Sequence, residues 1–235
     1  MDSEFRLFSI AHGAALAVIL GTALLLVVLA RSPRISGRLR LADFFLAGLL
    51  LANEFLWWGI AIAKGFWQAN WGLPLQICDL AIFASAYCLF RHHQLIWELA
   101  YFWGLGATLQ ALITPDLHVS FPQYYFFKFF ITHGCIVIAV IYLAAGLRRP
   151  ILFSSALRVW VITNVYALFV IVFNALTGAN YLYLMRKPAQ PSLLDYLGPW
   201  PVYLLGLEAL LVLSLGFYYL PYVFVNRRTQ RHDQT

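Results

Sequence analysis

Apolar residues run in seven long stretches, near 9–30, 41–63, 73–91, 95–113, 124–146, 157–178 and 200–224, parted by shorter polar or basic connections. Each stretch is close to the roughly 20 residues that a helix needs to cross about 30 Å of hydrocarbon. Helix is the expected element, because in lipid each backbone N–H and C=O must be satisfied within its own segment. The pattern predicts an all-α polytopic membrane protein, a single seven-helix transmembrane domain over residues 1–235. Punctuation agrees. Pro74 suits the first turn of the third span, where a missing N–H is harmless. Thr114-Pro115-Asp116 ends the fourth span, and Phe121-Pro122 precedes the fifth. The longest connection, near 179–199, holds Lys187-Pro188, Pro191 and Gly198-Pro199-Trp200-Pro201.

Composition strengthens this reading. The chain is 62% hydrophobic and 11% charged, against about half and a quarter in soluble domains. Such an excess of apolar surface faces lipid. The first run lacks a basic n-region and a small-residue cleavage pattern, so it reads as a span rather than a removed signal. Cys78, Cys88 and Cys135 all lie within apolar stretches, which argues against a disulfide framework.

The net charge of +6 does not indicate nucleic acid, because the basic residues gather at the ends of spans. One side would carry Arg31, Arg34, Arg38, Arg40, Arg91, Arg148, Arg149, Arg158, Arg227, Arg228 and Arg231. The other would carry Arg6, Lys64, Lys128, Arg186 and Lys187. Eleven against five places the N-terminus outside and the C-terminus in the cytoplasm by the positive-inside rule.

Polar residues inside the spans then become the candidate chemistry. They are His12, Asp43, Asn53, Glu54, Gln76, Cys78, Asp79, Gln110, His133, Asn164, Asn174 and Glu208, with Asn180 just beyond the sixth span. A carboxylate at mid-bilayer costs about 2.5–3.5 kcal/mol on insertion scales. Glu54, Asp79 and Glu208 would together cost roughly 8–10 kcal/mol in contact with lipid, so they are expected to face the bundle interior. Given the alternating orientation, most of these residues share the outer half of the bilayer. His133 lies about nine residues into its span, or ~13 Å. Agreement in depth favours one polar cavity opening outward.

Cys78 and His133 form the sharpest pair. A thiol becomes a good nucleophile when a base removes its proton, and imidazole is the usual base. A buried cysteine also serves as a small apolar residue. An intramembrane histidine, by contrast, points to function by default. Asp79 is placed to orient His133 or to join helices, and the residues leave both open. Gln76 and Cys78 lie too far apart around a helix to share one direction. No histidine pair has metal-ligand spacing at membrane depth, so neither a metal nor another cofactor is expected. A retinal Schiff base is disfavoured because the seventh span has no lysine.

Several segments resemble the YwaF-like bacterial integral membrane family. They are Leu73-Pro74-Leu75-Gln76-Ile77-Cys78-Asp79-Leu80, Tyr101-Phe102-Trp103-Gly104, Leu109-Gln110-Ala111-Leu112-Ile113-Thr114-Pro115-Asp116 and Phe129-Phe130-Ile131-Thr132-His133. Asn180-Tyr181-Leu182-Tyr183-Leu184 and Ser192-Leu193-Leu194-Asp195-Tyr196-Leu197-Gly198-Pro199-Trp200-Pro201 belong to the same pattern. The resemblance extends more distantly to the transmembrane protein 164 acyltransferases and, through them, to the androgen-induced-gene lipid hydrolases. It implies an intramembrane cysteine nucleophile with a histidine base on a later helix, roles that fall on Cys78 and His133. It further implies a lipid acyltransferase or esterase of the cell membrane, working through an acyl-thioester on a membrane lipid. Asn53, Gln110, Asn174 and Asn180 are the candidate oxyanion donors, and Asp79, Glu54 and Glu208 complete the expected polar cavity. The rival reading is a small-solute transporter or receptor whose cavity binds without covalent chemistry. Oligomeric state is left open.

Overall fold

A computed structural model describes residues 4–35, 39–188 and 193–232, with the side chains of Leu193 and of residues 225–232 outside that description. Arg38, Pro191 and Ser192, and the side chains of Arg227, Arg228 and Arg231, therefore lie outside the described residues. The helices are α1 (Ile10–Arg31), α2 (Arg40–Ala63), α3 (Ile77–Phe90), α4 (Gln94–Trp103), α5 (Leu109–Ile113), α6 (Tyr124–Ile141), α7 (Phe153–Thr177) and α8 (Val202–His232). Wider π-helical turns, Gly104–Thr108 and Tyr142–Gly146, join α4 to α5 and extend α6. Among the described residues the extended pairing is a lone bridge between Glu4 and Val119.

Among the described residues five helical segments are long and apolar enough to cross a membrane: α1, α2, Tyr124–Gly146, α7 and Val202–Phe224. The chain is thus a multi-pass membrane protein. The stretches near 73–91 and 95–113 take other forms. Helix α3 has only 14 residues, about 21 Å at 1.5 Å per residue. It begins at Ile77 because Gln76 and Asp79 cap each other, with Asp79 Oδ2 accepting from the Gln76 N–H at 3.1 Å. That reciprocal cap satisfies orphan donors at the helix start, so Pro74 lies ahead of the helix rather than in its first turn. The 95–113 stretch is interrupted where the Leu109 N–H bonds to the Gly104 carbonyl, five residues back.

The chain divides into two compact units. Unit 1 comprises residues 1–68 and 76–149. Within it α6 packs on α1, α2 and α3, and α3 packs on α2 and α4. The Tyr124–Gly146 segment is 67% buried against 17% for α1, which makes α6 the central helix of the unit. Small residues allow its close contacts. A Cβ on Gly134 would stand 2.7 Å from Ile19, and one on Gly104 would stand 2.9 Å from Val140. His12 belongs to this packing. Its Nδ1 accepts from the Phe8 N–H at 3.1 Å and its Nε2 lies 2.9 Å from the Leu112 carbonyl, so both ring nitrogens are used.

Unit 2 comprises residues 69–75 and 150–235. Its helices α7 and α8 pack together, and short 3₁₀ turns at Tyr181–Tyr183 and Leu193–Leu197 fold onto them. Gly178 ends α7 in the left-handed conformation, φ 71°, with its N–H on the Asn174 carbonyl. A residue with a Cβ would be disfavoured there.

Candidate functional site

Three mutually packed helices of unit 1 carry most of the polar candidates. Helix α2 contributes Asn53 and Glu54, α3 contributes Cys78 and Asp79, and α6 contributes Lys128, Thr132 and His133. Lys128 Nζ lies 3.0 Å from Glu54 Oε2, with side-chain exposures of 19% and 3%, so the ion pair is largely buried. Asn53 Nδ2 donates to the Thr132 hydroxyl at 2.6 Å and to the Lys128 carbonyl at 3.0 Å. Both amide hydrogens of Asn53 are then occupied in holding α2 to α6. The charge on Lys128 also acts electrostatically on Cys78, Asp79 and His133. One ammonium therefore pairs with one carboxylate and exerts its field on a second carboxylate, a thiol and an imidazole. At short range in low dielectric such charges interact far more strongly than in water.

Cys78 is the second residue of α3 and is half-buried. Its thiol faces the Thr108 hydroxyl at the end of the π-helical turn. The pair falls short of hydrogen-bond geometry, and the buried Thr108 Oγ1 has no hydrogen-bond partner. A buried hydroxyl without a partner is uncommon and asks for an explanation. His133 lies on α6, which packs directly on α3. Its ring stacks on Phe129 with centroids 4.1 Å apart, and Nδ1 is 2.9 Å from the Phe129 carbonyl. A carbonyl only accepts, so the Nδ1–H donates and Nε2 keeps its lone pair. Among the described residues Nε2 has no hydrogen-bond partner. Stacking and bonding together fix the ring in one orientation and one tautomer.

Other predicted residues have different surroundings. Asp79 serves the α3 cap, and its carboxylate interacts electrostatically with Glu54 and Lys128. Gln110 is exposed and donates to Thr114 Oγ1 on its own helix at 3.0 Å. Asn174, Asn180 and Glu208 belong to unit 2. Asn174 Nδ2 donates to the Tyr181 carbonyl at 2.9 Å, and its Oδ1 accepts from the Tyr181 N–H at 3.0 Å. Asn180 Oδ1 accepts from the Met185 and Arg186 N–H groups, and its Nδ2 donates to the Arg186 carbonyl. Glu208 accepts from Trp160 Nε1, with Asn164 Nδ2 at 3.4 Å. The Tyr181 hydroxyl accepts from the Leu73 N–H and donates to the Ala69 carbonyl. Asn174 and Asn180 thus organise backbone in unit 2, each through one N–H and its amide oxygen.

Sequence reasoning passed over Lys128, Thr108 and Thr132. Lys128 reads as one more basic residue at a span end, although its place in the fifth stretch, five residues before His133, is a usable signal. Thr108 follows Gly104-Leu105-Gly106-Ala107, a glycine-rich interruption of an apolar stretch. Among the described residues no three His, Cys, Asp or Glu side chains cluster as a metal site. The model of the TMEM164 family matches residues 7–219 of the chain. No curated protein and no solved structure matches it.

Proposed function

The chain belongs to the TMEM164 family, and from that membership and the α2–α3–α6 cluster we propose a membrane-embedded lipid acyltransferase or esterase. The observation that carries the proposal is the open valence of two groups on the elements packed against α3. His133 holds an unoccupied Nε2 in a fixed ring, and Thr108 presents a buried hydroxyl without a partner. His133 Nε2 takes the proton from Cys78 Sγ. The thiolate attacks the carbonyl carbon of a lipid ester, and the carbon–oxygen bond to the leaving group breaks. The proton passes from His133 to the departing lysolipid oxygen. An acceptor hydroxyl or water then gives its proton to His133 and attacks the thioester, which returns the thiol. Thr108 donates to the oxyanion, and Lys128 supplies a nearby positive charge that attracts both thiolate and oxyanion. Asn53 and Glu54 position Lys128, and Asp79 holds the start of α3.

The wider placement follows the same reading. Seven passes, with α3 and the α4–α5 stretch as the two further ones, put the N-terminus outside and the C-terminus in the cytoplasm. The site then opens toward the outer face of the cell membrane. The segments from Leu73 to Leu80 and from Phe129 to His133 support a place in the YwaF-like bacterial branch.

The test uses the purified full chain and phospholipid carrying a labelled acyl group. A hydroxylamine-sensitive adduct is expected, absent in Cys78→Ala and retained in Cys88→Ala. Saturable ligand binding that survives Cys78→Ala, with no adduct from any lipid ester, would instead identify a non-covalent transporter or receptor.

A further inference from the structure

Cys78 is the second residue of α3, and helix ends fray. A nucleophile so placed needs an anchor ahead of its helix. The chain before it, Ala69–Leu75, belongs to unit 2, and Gln76 opens the part of unit 1 that carries Cys78 and His133. The Ala69–Leu75 backbone is held at several points. The Leu73 N–H donates to the Tyr181 hydroxyl, which donates in turn to the Ala69 carbonyl, each at 2.9 Å. The Leu75 N–H closes a tight turn across Pro74 by donating to the Leu73 carbonyl at 2.8 Å. Leu73 and Leu75 pack against Val170, Ala179 and Tyr181.

The Leu75–Gln76 peptide comes last before the helix, and it is held at both ends. Its carbonyl accepts from the Tyr166 hydroxyl on α7 at 2.9 Å. Its N–H donates to Asp79 Oδ2 at 3.1 Å. Hydrogen bonds in series polarise one another, so the Tyr166 O–H strengthens the bond from Gln76 to Asp79 that closes the start of α3. The Gln76 carbonyl accepts from the Asp79 and Leu80 N–H groups at 3.0 and 3.2 Å, which carries the hold into the first helical turn. Asp79 also acts electrostatically on Cys78. From Leu75 to Cys78 the chain can span at most about 11 Å. The Tyr181 bonds end at Leu73, and the turn across Pro74 stands between them and the helix.

We propose that Tyr166 is a positioning residue for Cys78, acting through the Leu75–Gln76 peptide and Asp79. Its hydroxyl sets the first turn of α3, and with it the direction of the Cys78 thiol. The assignment rests on Cys78 as nucleophile with His133 as base, and it gives unit 2 a part in the reaction. A hydroxyl that only satisfied the Leu75 carbonyl would contribute stability and leave the thiol unaffected.

Alkylation of the full chain by iodoacetamide, read residue by residue with peptide mass spectrometry, tests this without any lipid. Cys88 and Cys135 are buried and report unfolding in the same sample. Tyr166→Phe is expected to slow alkylation of Cys78 near neutral pH by about 10–10²-fold, the scale of a displaced reacting group, with Cys88 and Cys135 still protected. In alkaline solution hydroxide replaces the protein base, and the two rates should converge. The titratable groups Glu54, Asp79, Lys128 and His133 are the same in both proteins. Tyr181→Phe loses two hydrogen bonds and should lower the melting temperature without changing the Cys78 rate. In an Asp79→Ala background Tyr166→Phe should add little, because both act through one bond. A neutral-pH rate in Tyr166→Phe equal to wild type overturns the proposal, as does an equal loss in neutral and alkaline solution. A full further loss on top of Asp79→Ala does so too. Alkylation of Cys88 and Cys135 alongside Cys78 assigns the hydroxyl to stability and overturns it as well. If wild-type Cys78 takes no acyl group from labelled phospholipid while its alkylation depends on Tyr166, lipid transfer falls and the positioning role stands.

Discussion

The clasp around Tyr181 in unit 2 and the cluster around Lys128 in unit 1 treat their polar groups in opposite ways. At the clasp, Asn174 meets both backbone groups of Tyr181, Asn180 meets those of Met185 and Arg186, and the Tyr181 hydroxyl both accepts and donates. These bonds hold Leu182 and Tyr183 at φ 58° and 53°, a conformation that costs about 1–3 kcal/mol per residue and persists only where the surroundings enforce it. At the Lys128 cluster, Thr108 Oγ1 has no partner, His133 Nε2 is open, and one ammonium serves two carboxylates. Completed hydrogen bonding is what a scaffold needs, whereas open valence leaves a group available to a ligand. The two histidines repeat the contrast inside unit 1. His12 has both nitrogens occupied and packs among Phe5, Phe8 and Phe130, whereas His133 has one nitrogen occupied.

Substitutions can break this contrast. The largest effect is expected for His133→Gln, which should slow acylation of Cys78 by about 10²–10⁴-fold, the range for loss of a general base. Single-turnover labelling reads the rate, and an unchanged rate removes His133 from the reaction. Lys128→Met leaves Glu54 buried without its cation and should cost about 3–5 kcal/mol of stability. Adding Glu54→Gln should restore much of that loss, and a double-mutant cycle from thermal unfolding measures the coupling.

Thr108→Val separates folding from chemistry most sharply. The hydroxyl loses only its loose contact with the Cys78 thiol, so stability should hold within about 1 kcal/mol, while acylation slows about 10²-fold or more as an oxyanion donor disappears. A lower melting temperature with normal acylation would make Thr108 scaffold. Asn174→Ala should do the reverse. It strips two backbone groups of their partners and should cost about 2 kcal/mol, with acylation per folded molecule unchanged. Gly134→Ala should cost about 1–3 kcal/mol of stability, because the new methyl would stand 2.7 Å from Ile19 and force that side chain to shift, while acylation per folded molecule stays unchanged.

Much of the architecture was readable before any coordinates. Length and apolarity of stretches 9–30, 41–63, 124–146, 157–178 and 200–224 identify five helices that the structure retains, because lipid imposes a single solution on a long apolar segment. The third and fourth stretches were less readable. Their apolarity is just as long, but it does not encode where a helix begins. The start of α3 depends on the Gln76–Asp79 cap, and the break in α4–α5 occurs where Gly104 presses against Ile136 and Val140.

Residue chemistry alone marked Cys78, His133, Glu54 and Asp79 as out of place in lipid, since an ionisable or reactive group there is costly wherever it sits. Whether such a group is satisfied depends on neighbours from other helices. Asn53 reads as a free amide until Thr132 and the Lys128 carbonyl take its hydrogens, and Lys128 reads as an anchor until Glu54 pairs with it. Local sequence carries the free-energy cost of burying each group, and only the packed helices carry the partner that offsets it or leaves it open for reaction.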